Sequence, residues 1–319
     1  MARVAFFGTP EFSLPSLNAV QRFCIAHGHE LSMVVTQPDR EQGRGKKVLP
    51  PPVKCEALNF GLRVCQPETL RKTTESGEEF FAEFIKAQID LAVVVAYGKL
   101  IPQRILKAVT RNFVNIHGSL LPRFRGAAPV QRAIEYGDYK TGVGLMDMVL
   151  KLDEGDVFKS LETPIVASDT SATLFRRLSN LGAHLLEENL KALLDGTLTK
   201  TPQSDEGIIY ASMLDKKEGA WSFNAPASLI AARARAFDPW PTLYAFINNK
   251  RVQFFDSFFI NTKVHAEKRP GTIVALNPFL GITAVDGIVY FQTIQVEGKR
   301  ALPLKEALLG FSLKIGDKI

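Results

Sequence analysis

Along the first 194 residues, short and wholly apolar stretches alternate with amphipathic ones. An apolar strand is expected at 3–7, followed by a helix that ends at Gly28 and a second strand at 31–36. Further apolar strands are expected at 91–96 and 113–116. Continuously apolar strands that are joined by helices are typical of a parallel sheet covered on both faces. The pattern therefore predicts a Rossmann-like, mostly parallel sheet with helices on both faces.

The periodicity changes after a polar linker at 195–207. One helix is expected at 227–236, and short strands follow near 244–247, 252–260, 271–276, 281–284, 289–292 and 294–296. Short strands at regular spacing are typical of a small closed barrel. We therefore expect two domains, an α/β domain at 1–194 and a smaller OB-like C-terminal β-barrel at 208–319.

Positive charge is concentrated in the last third of the chain. Residues 208–319 carry 14 Lys and Arg against 9 Asp and Glu, whereas the first 207 residues carry 25 against 24. A basic module joined to a nearly neutral one favours a polyanionic partner. A solvated basic face without a partner is the alternative that charge alone leaves open.

Cysteine usage and hydropathy bear on the compartment. Cys24, Cys55 and Cys65 are an odd number and contain no C-x-x-C pair, which is typical of reduced thiols in a cytoplasmic protein. No apolar run reaches the roughly 18 residues of a membrane-spanning helix. We therefore expect a cytoplasmic protein with no structural metal site.

A long segment at 37–52, rich in Gly and Pro, is predicted to be a loop. It carries four cations, Arg40, Arg44, Lys46 and Lys47. Loops of this length are usually functional or disordered, and clustered cations suit phosphate groups. An ordinary surface loop is the alternative.

The candidate catalytic residues lie where predicted strands end and turns begin. Asn115 and His117 are two residues apart, so that on an extended chain they project to the same side. Asp153 lies in the turn sequence Leu152-Asp-Glu-Gly-Asp156, although such a turn by itself favours a structural carboxylate. Asn115 and a protonated His117 are suited to stabilising an oxyanion, and Asp153 to accepting and returning a proton.

No nucleophile accompanies these groups in the sequence. The cysteines fall in or beside ordinary elements, and Ser119 is not in a G-x-S-x-G turn. The set of Asn115, His117 and Asp153 therefore favours acyl transfer between bound partners without a covalent enzyme intermediate.

The same residues carry a family resemblance. Asn115-Ile-His117 with Ser119-Leu-Leu-Pro122 resembles the signature of folate-dependent formyltransferases, and Leu152-Asp-Glu-Gly-Asp156 resembles their acidic turn. The segments at 6–12, 36–47, 117–131 and 235–241 are similar to those members of the family that act on aminoacyl-tRNA. The resemblance spans nearly the whole chain.

The resemblance implies 10-formyltetrahydrofolate as formyl donor and the amino group of initiator methionyl-tRNA as acceptor. Asn115, His117 and Asp153 fall on the catalytic positions. The positions that the resemblance implies for folate binding are Ser119, Leu120, Leu121, Pro122, Tyr97 and Gly98. Those implied for tRNA binding are Arg40, Arg44, Lys46 and Lys47, with Arg44 nearest the acceptor end. Lys151 and Glu154 depart from the family pattern, which has Gly and Thr there.

Two other functions remain open at this stage. A formyltransferase or formyl hydrolase acting on a sugar nucleotide or a purine precursor would share the three catalytic residues, but it needs neither the basic loop nor a basic C-terminal domain. A non-catalytic RNA-binding protein would leave Asn115, His117 and Asp153 without a common purpose. We expect the protein to be a monomer.

Overall fold

The computed structural model describes residues 1–42, 47–262 and 268–319. The chain divides into two compact units. The first unit comprises 1–126, 142–163 and 175–210, and the second comprises 127–141, 164–174 and 211–319. The domain boundaries expected from the sequence, at 194 and 208, stay a prediction, because each unit is made of segments that are discontinuous along the chain.

The first unit is built on a central sheet that has seven strands among the described residues. In chain order they are β1 (Arg3–Gly8), β2 (Glu30–Val35), β5 (Val64–Cys65), β6 (Leu91–Val95), β7 (Asn112–His117), β9 (Lys140–Asp147) and β10 (Val157–Pro164). Two short pairs complete the strands of this part of the chain: β3 (Arg40–Gln42) with β4 (Lys47–Leu49), and β8 (Arg125–Gly126) with β11 (Tyr210–Ala211).

Strand order in the central sheet is β10-β9-β7-β6-β1-β2-β5. The pairs β1–β2, β1–β6, β6–β7 and β2–β5 are parallel, as the apolar strands predicted. The pair β7–β9 is antiparallel, so the sheet is mixed at this side. The predicted Rossmann-like, mostly parallel sheet is confirmed.

Helices connect these strands. They are α1 (Leu14–His27), α2 (Pro52–Asn59), α3 (Glu75–Ala87), α4 (Gln103–Leu106), α5 (Pro129–Glu135) and α6 (Ser171–Asp195). A 3-10 turn at Glu11–Ser13 precedes α1, and Gly28 ends α1 with a φ of 64°. That left-handed conformation explains why a glycine stands there. The Thr74 side chain caps α3 by accepting the Gly77 amide at 3.2 Å.

The second unit contains a curled antiparallel sheet with six strands among the described residues. They are β12 (Leu243–Ile247), β13 (Lys250–Asn261), β14 (Ile273–Ala275), β15 (Leu280–Thr283), β16 (Gly287–Val296) and β17 (Leu302–Pro303). Two helices accompany them, α7 (Ala227–Ala236) and α8 (Leu304–Ala307), together with a 3-10 turn at Lys216–Gly219. Apolar residues of α7 and of the sheet form one buried core.

The predicted C-terminal β domain is confirmed as a half-barrel. The order β12-β13-β16-β15-β14 places β12 and β14 at opposite ends of the pairing. The two strands expected at 289–292 and 294–296 are a single strand, β16, because Thr293 continues the ladder by pairing with Phe255 of β13. Within the described residues, no helix combines the length and the hydropathy needed to cross a membrane.

The predicted basic loop is partly a hairpin. Strands β3 and β4 pair antiparallel, with Arg40 opposite Leu49 and Gln42 opposite Lys47. Each of these strands has only three residues, so that neither is long enough to show the periodic apolar pattern by which strands are recognised. Arg44 and Lys46 lie outside the described residues.

Candidate active site

Strand β7 carries the first two candidate residues. The sequence predicted this strand to stop at Ile116, but the ladder to β9 continues through His117, which pairs with Gly144. Because side chains alternate along a strand, Asn115 and His117 share one face. Asn115 is 9% exposed and His117 is 6% exposed, so both polar groups are held in a largely dry environment.

Helix α6 lies close to the opposite face of β7. A Cβ added at Gly182 of α6 would lie 2.7 Å from Cγ2 of Ile116, the residue between Asn115 and His117. The helix backbone therefore supports the strand directly behind the two polar side chains. A glycine inside a long helix, which costs helix stability, is explained by this close approach.

Two groups contact the His117 ring. Nε2 lies 2.9 Å from the Phe124 carbonyl oxygen. A carbonyl can only accept, so Nε2 is the nitrogen that carries the proton in the neutral ring. Nδ1 lies 3.7 Å from Oδ2 of Asp153. Both ring nitrogens therefore have a polar neighbour, a carbonyl at Nε2 and a carboxylate at Nδ1.

Asp153 is held in the acidic turn by its backbone and by its carboxylate. Its φ of 53° is in the left-handed region, which is uncommon outside glycine but which aspartate adopts more readily than most residues. The Gly126 amide donates to Oδ2 at 2.8 Å, on the same oxygen that faces His117. The side chain is 12% exposed, so little water competes for the carboxylate.

The two departures from the family pattern pair with each other. Lys151 Nζ lies 3.3 Å from Glu154 Oε2, and Arg125 Nη1 lies 3.8 Å from Glu154 Oε1. Lys151 is largely exposed, which makes its pair weak in water. Arg125 is buried, so that Glu154 partly balances an enclosed charge beside the turn.

The segment Ser119 to Pro122 follows β7 directly. Ser119 is fully buried, and its hydroxyl donates to the Arg123 carbonyl at 2.7 Å. Leu120, Leu121 and Pro122 are half-buried. A Cβ at Gly142 of β9 would lie 2.6 Å from Cδ2 of Leu120, so the loop packs onto the sheet where β9 has no side chain.

Tyr97 and Gly98 follow β6, the neighbour of β7. The Tyr97 ring is 1% exposed and packs edge-on against Phe7 at 5.4 Å. Its hydroxyl is buried without a partner among the described residues, and burial raises the pKa of that phenol. The ring is therefore not available to a ligand, and the contact expected at position 97 stays a prediction for its backbone atoms.

The Tyr97 carbonyl, which follows β6, accepts hydrogen bonds from residues that follow β1 and β2. It accepts from Thr9 Oγ1 at 3.0 Å and from Gln37 Nε2 at 2.9 Å. Gly98 is exposed with a φ of 79°, and a Cβ there would clash with the Gln37 amide nitrogen. The carboxyl ends of β1, β2 and β6 are thus fixed beside the site, at the edge where α/β sheets bind ligands.

The basic hairpin is anchored at its base by Asp39. Lys54 donates to this carboxylate at 2.8 Å and Gln66 donates at 2.7 Å. The hydrogen bonds from Gln66 and Lys54 lower the pKa of Asp39. Arg40 and Lys47 are exposed on the hairpin strands, and no contact joins either residue to His117 within the described residues.

Sequence reasoning missed the groups that orient the site. They are the Phe124 carbonyl, the Gly126 amide and the side chain of Gln203. Backbone groups carry no side-chain signal, and Gln203 lay inside a segment expected to be a linker. What the arrangement offers chemically is a carboxamide, an imidazole and a carboxylate, of which the last two are in ion-pair range. This set suits proton transfer and stabilisation of a developing oxyanion.

The comparisons with known proteins show the family to which the chain belongs. Residues 2–190 match the formyl transferase family, and residues 213–312 match the formyl transferase C-terminal domain. The chain belongs to the formyl transferase family and is a formyltransferase. It is 41% identical over 308 residues to a protein of Xanthomonas euvesicatoria pv. vesicatoria (strain 85-10) named methionyl-tRNA formyltransferase, with 96% of each chain covered.

Two solved structures show the same fold at low identity. An N-formyltransferase from Helicobacter canadensis, in complex with folinic acid and dTDP-3-aminofucose, matches with a TM-score of 0.67 and 16% identity, covering 91% of this chain and 99% of that one. HypX from Aquifex aeolicus, in complex with tetrahydrofolic acid, matches with a TM-score of 0.60 and 17% identity, covering 99% of this chain and 50% of that one. These likenesses concern the fold alone.

Proposed function

We propose that the chain transfers the formyl group of 10-formyltetrahydrofolate to the amino group of initiator methionyl-tRNA. The observation that carries this proposal is the near-complete alignment with the Xanthomonas protein, at 41% identity over 96% of both chains. The product is N-formylmethionyl-tRNA, which serves translation initiation. The formyl donor supplies the one-carbon unit when it is bound.

Asn115, His117 and Asp153 are proposed to carry the chemistry. The attacking amine forms a bond to the formyl carbon, and the bond from that carbon to the departing nitrogen breaks. Asp153 takes the proton that the amine releases and returns it to the departing nitrogen. The Asn115 carboxamide donates to the oxygen on which negative charge develops. His117, whose Nε2 donates to Phe124, contributes positive charge beside Asp153 when Nδ1 is protonated.

The chemistry of the strand ends fits a flat folate. Leu120, Leu121 and Pro122 offer half-buried apolar surface, and Ser119 fixes the loop that presents them. The backbone at Tyr97 and Gly98 is proposed as the part of β6's end that a folate ring meets, since Gly98 is exposed and has no side chain.

Binding of tRNA is proposed for the hairpin and the C-terminal domain. Arg40 and Lys47 are exposed to solvent, where they can meet phosphates, and the proposal extends to Arg44 and Lys46 in the same segment. The excess of positive charge in residues 208–319 supports a second contact with the same polyanion. We propose the boundaries 1–194 for a catalytic domain, 195–207 for the linker and 208–319 for a tRNA-binding domain, in a cytoplasmic monomer.

A direct transfer assay tests the reaction. The protein is incubated with the formyl donor and either charged initiator tRNA or charged elongator methionyl-tRNA, and formylmethionine is measured. Formylation of the initiator species with little on the elongator supports the proposal. Formylation of an amino sugar nucleotide, with none on either tRNA, would assign the chain to another acceptor class.

Single substitutions test the catalytic roles. Asn115→Ala removes the proposed oxyanion donor, and such losses typically lower turnover by about 100- to 1,000-fold. His117→Ala is expected to abolish detectable turnover while the fold, checked by circular dichroism, is kept. A folded His117→Ala protein with wild-type turnover would exclude His117 from the mechanism.

Two single substitutions, each of which removes one positive charge, test whether the hairpin binds tRNA. Lys47→Ala and Arg40→Ala are expected to weaken tRNA binding and to reduce its salt dependence by roughly one phosphate contact each, with folate binding unchanged. Lys159→Ala, at an exposed position of β10, is the matched control for a lost positive charge. Equal effects from Lys159→Ala and Lys47→Ala would mean that the hairpin has no specific role.

A further inference from the structure

We propose that Gln203 is a positioning residue for Asp153, which it holds in the orientation that faces His117. The proposal rests on the proposed function, because it assumes that Asp153 takes part in formyl transfer. It concerns a residue of the predicted linker to which sequence reasoning gave no role.

The Gln203 amide binds the acidic turn on both sides of Glu154. Nε2 donates to the Asp153 carbonyl at 2.8 Å and to the Gly155 carbonyl at 2.7 Å. Both hydrogens of the amide are therefore used on the two carbonyls of one turn. This pair of bonds holds the backbone at Asp153 in its left-handed conformation, with a φ of 53°.

The orientation of the Gln203 amide is itself fixed. Oε1 accepts from Nε of Arg125 at 3.0 Å. Reversing the amide would direct its hydrogens at the Arg125 donor and its oxygen at two carbonyls, so only one orientation satisfies all of these groups. Arg125 is 5% exposed, which leaves it little freedom to move away.

Arg125 links the Gln203 side chain to the loop that contacts His117 and Asp153. The residue before it, Phe124, provides the carbonyl that accepts from His117 Nε2 at 2.9 Å. The residue after it, Gly126, provides the amide that donates to Asp153 Oδ2 at 2.8 Å. Gln203 therefore joins the turn that holds the carboxylate to the loop that holds the imidazole.

The backbone next to Gln203 is held in place by pairing with β10 of the same unit. Thr201 and Val157, at the start of β10, exchange two backbone hydrogen bonds of 2.9 Å each. Gln203 follows two residues later, so its reach to the acidic turn is set by an ordered backbone. A side chain with this many fixed partners is a precise support rather than a surface contact.

Steady-state kinetics of the full-length chain test the proposal. Gln203→Met keeps the length of the side chain and removes its amide, and Ser204→Ala is the control at the exposed neighbouring position. We expect kcat to fall on the order of 10- to 100-fold in Gln203→Met, as for other misplaced catalytic groups. The KM values for the formyl donor and for methionyl-tRNA should stay within about twofold, because the lost interaction acts on the reacting group and not on binding.

Amide hydrogen exchange supplies a readout that does not depend on catalysis. Peptides that contain Gly126 and the turn at 153–156 should exchange faster in Gln203→Met and at the wild-type rate in Ser204→Ala. Faster exchange in a chain whose wild type transfers no formyl group would refute the proposed function and leave the positioning role standing. Unchanged exchange, or unchanged kcat in an active enzyme, would overturn the positioning role.

Discussion

Replacing Gly182 by Ala tests whether helix α6 supports the catalytic strand. The added Cβ would lie 2.7 Å from Ile116 Cγ2, whereas carbon atoms pack best at about 3.5–4.0 Å. The helix and the strand must therefore separate by roughly 1 Å, or Ile116 must leave its rotamer. Overpacking of this kind costs about 1–3 kcal/mol, and Ala in place of a helical Gly regains at most about 1 kcal/mol. A net loss of about 1 kcal/mol is expected.

Thermal unfolding and turnover measure the two consequences. A loss of about 1 kcal/mol lowers the midpoint of unfolding by roughly 2–4 °C in a unit of this size. Turnover should fall as well, because Ile116 lies between Asn115 and His117 and any shift of it displaces both. Asn180→Ala, at an exposed position of the same helix, introduces the same side chain without a contact to β7. It should lower neither the midpoint of unfolding nor the turnover.

A double substitution separates the clash from other effects. Ile116→Ala removes the methyl group that the new Cβ would meet, so Gly182→Ala should cost less in that background than in the wild type. Residues in contact typically show coupling energies of about 0.5–3 kcal/mol. A coupling of zero, together with a Gly182→Ala protein as stable and active as Asn180→Ala, would refute direct support of β7 by α6.

Three further outcomes are expected from charged groups. Glu135→Ala should destabilise the protein by about 1.5–3 kcal/mol in denaturant titrations, because it removes hydrogen bonds from the buried Arg132 and the half-buried Arg233, which contact Glu135 at 2.7 and 2.5 Å. The loss is limited because Arg132 keeps its ion pair with Glu218 at 2.8 Å. The hydrogen bond from Arg132 lowers the pKa of Glu218, so its stabilisation is present above the unfolded pKa and is lost as pH falls through the folded pKa. Unfolding midpoints below about pH 5 should therefore fall less steeply in Glu218→Gln. Binding of methionyl-tRNA should weaken linearly in logarithmic salt, and a salt-independent affinity would argue against phosphate contacts.

Strands buried on both faces were predictable, and strands with exposed side chains were not. The apolar runs of β1, β2 and β6 carry their own signal, since burial on both faces demands continuous hydrophobicity. The hairpin of β3 and β4 lacks this signal because each of its strands has only three residues, and those of β4 are exposed even where they are apolar. The unbroken strand β16 was missed because Thr293 is polar, and its pairing with Phe255 depends on a strand far away in the chain.

The candidate site was likewise predictable from the sequence only in part. Spacing alone predicted Asn115 and His117 on one face of a strand, and both residues do lie within β7. Sequence could not predict that β9 runs antiparallel to β7, nor that the Tyr97 ring turns into the core against Phe7. Both facts follow from packing between distant segments, which the composition of a single segment does not determine.

The polar side chains of this site supply chemistry, while groups without a recognisable sequence signature set its geometry. His117 is oriented by a carbonyl, and the Asp153 carboxylate by a backbone amide. A carbonyl is present in every residue and an amide N–H in every residue except proline, so the positions of these groups depend on what holds the loop and the turn. Arg125 and Gln203 hold them through the hydrogen bond that joins their side chains. Substitutions at Asn115, His117 and Asp153 therefore report on the reaction, whereas substitutions at Arg125 and Gln203 report on alignment and should lower kcat without removing a reacting group.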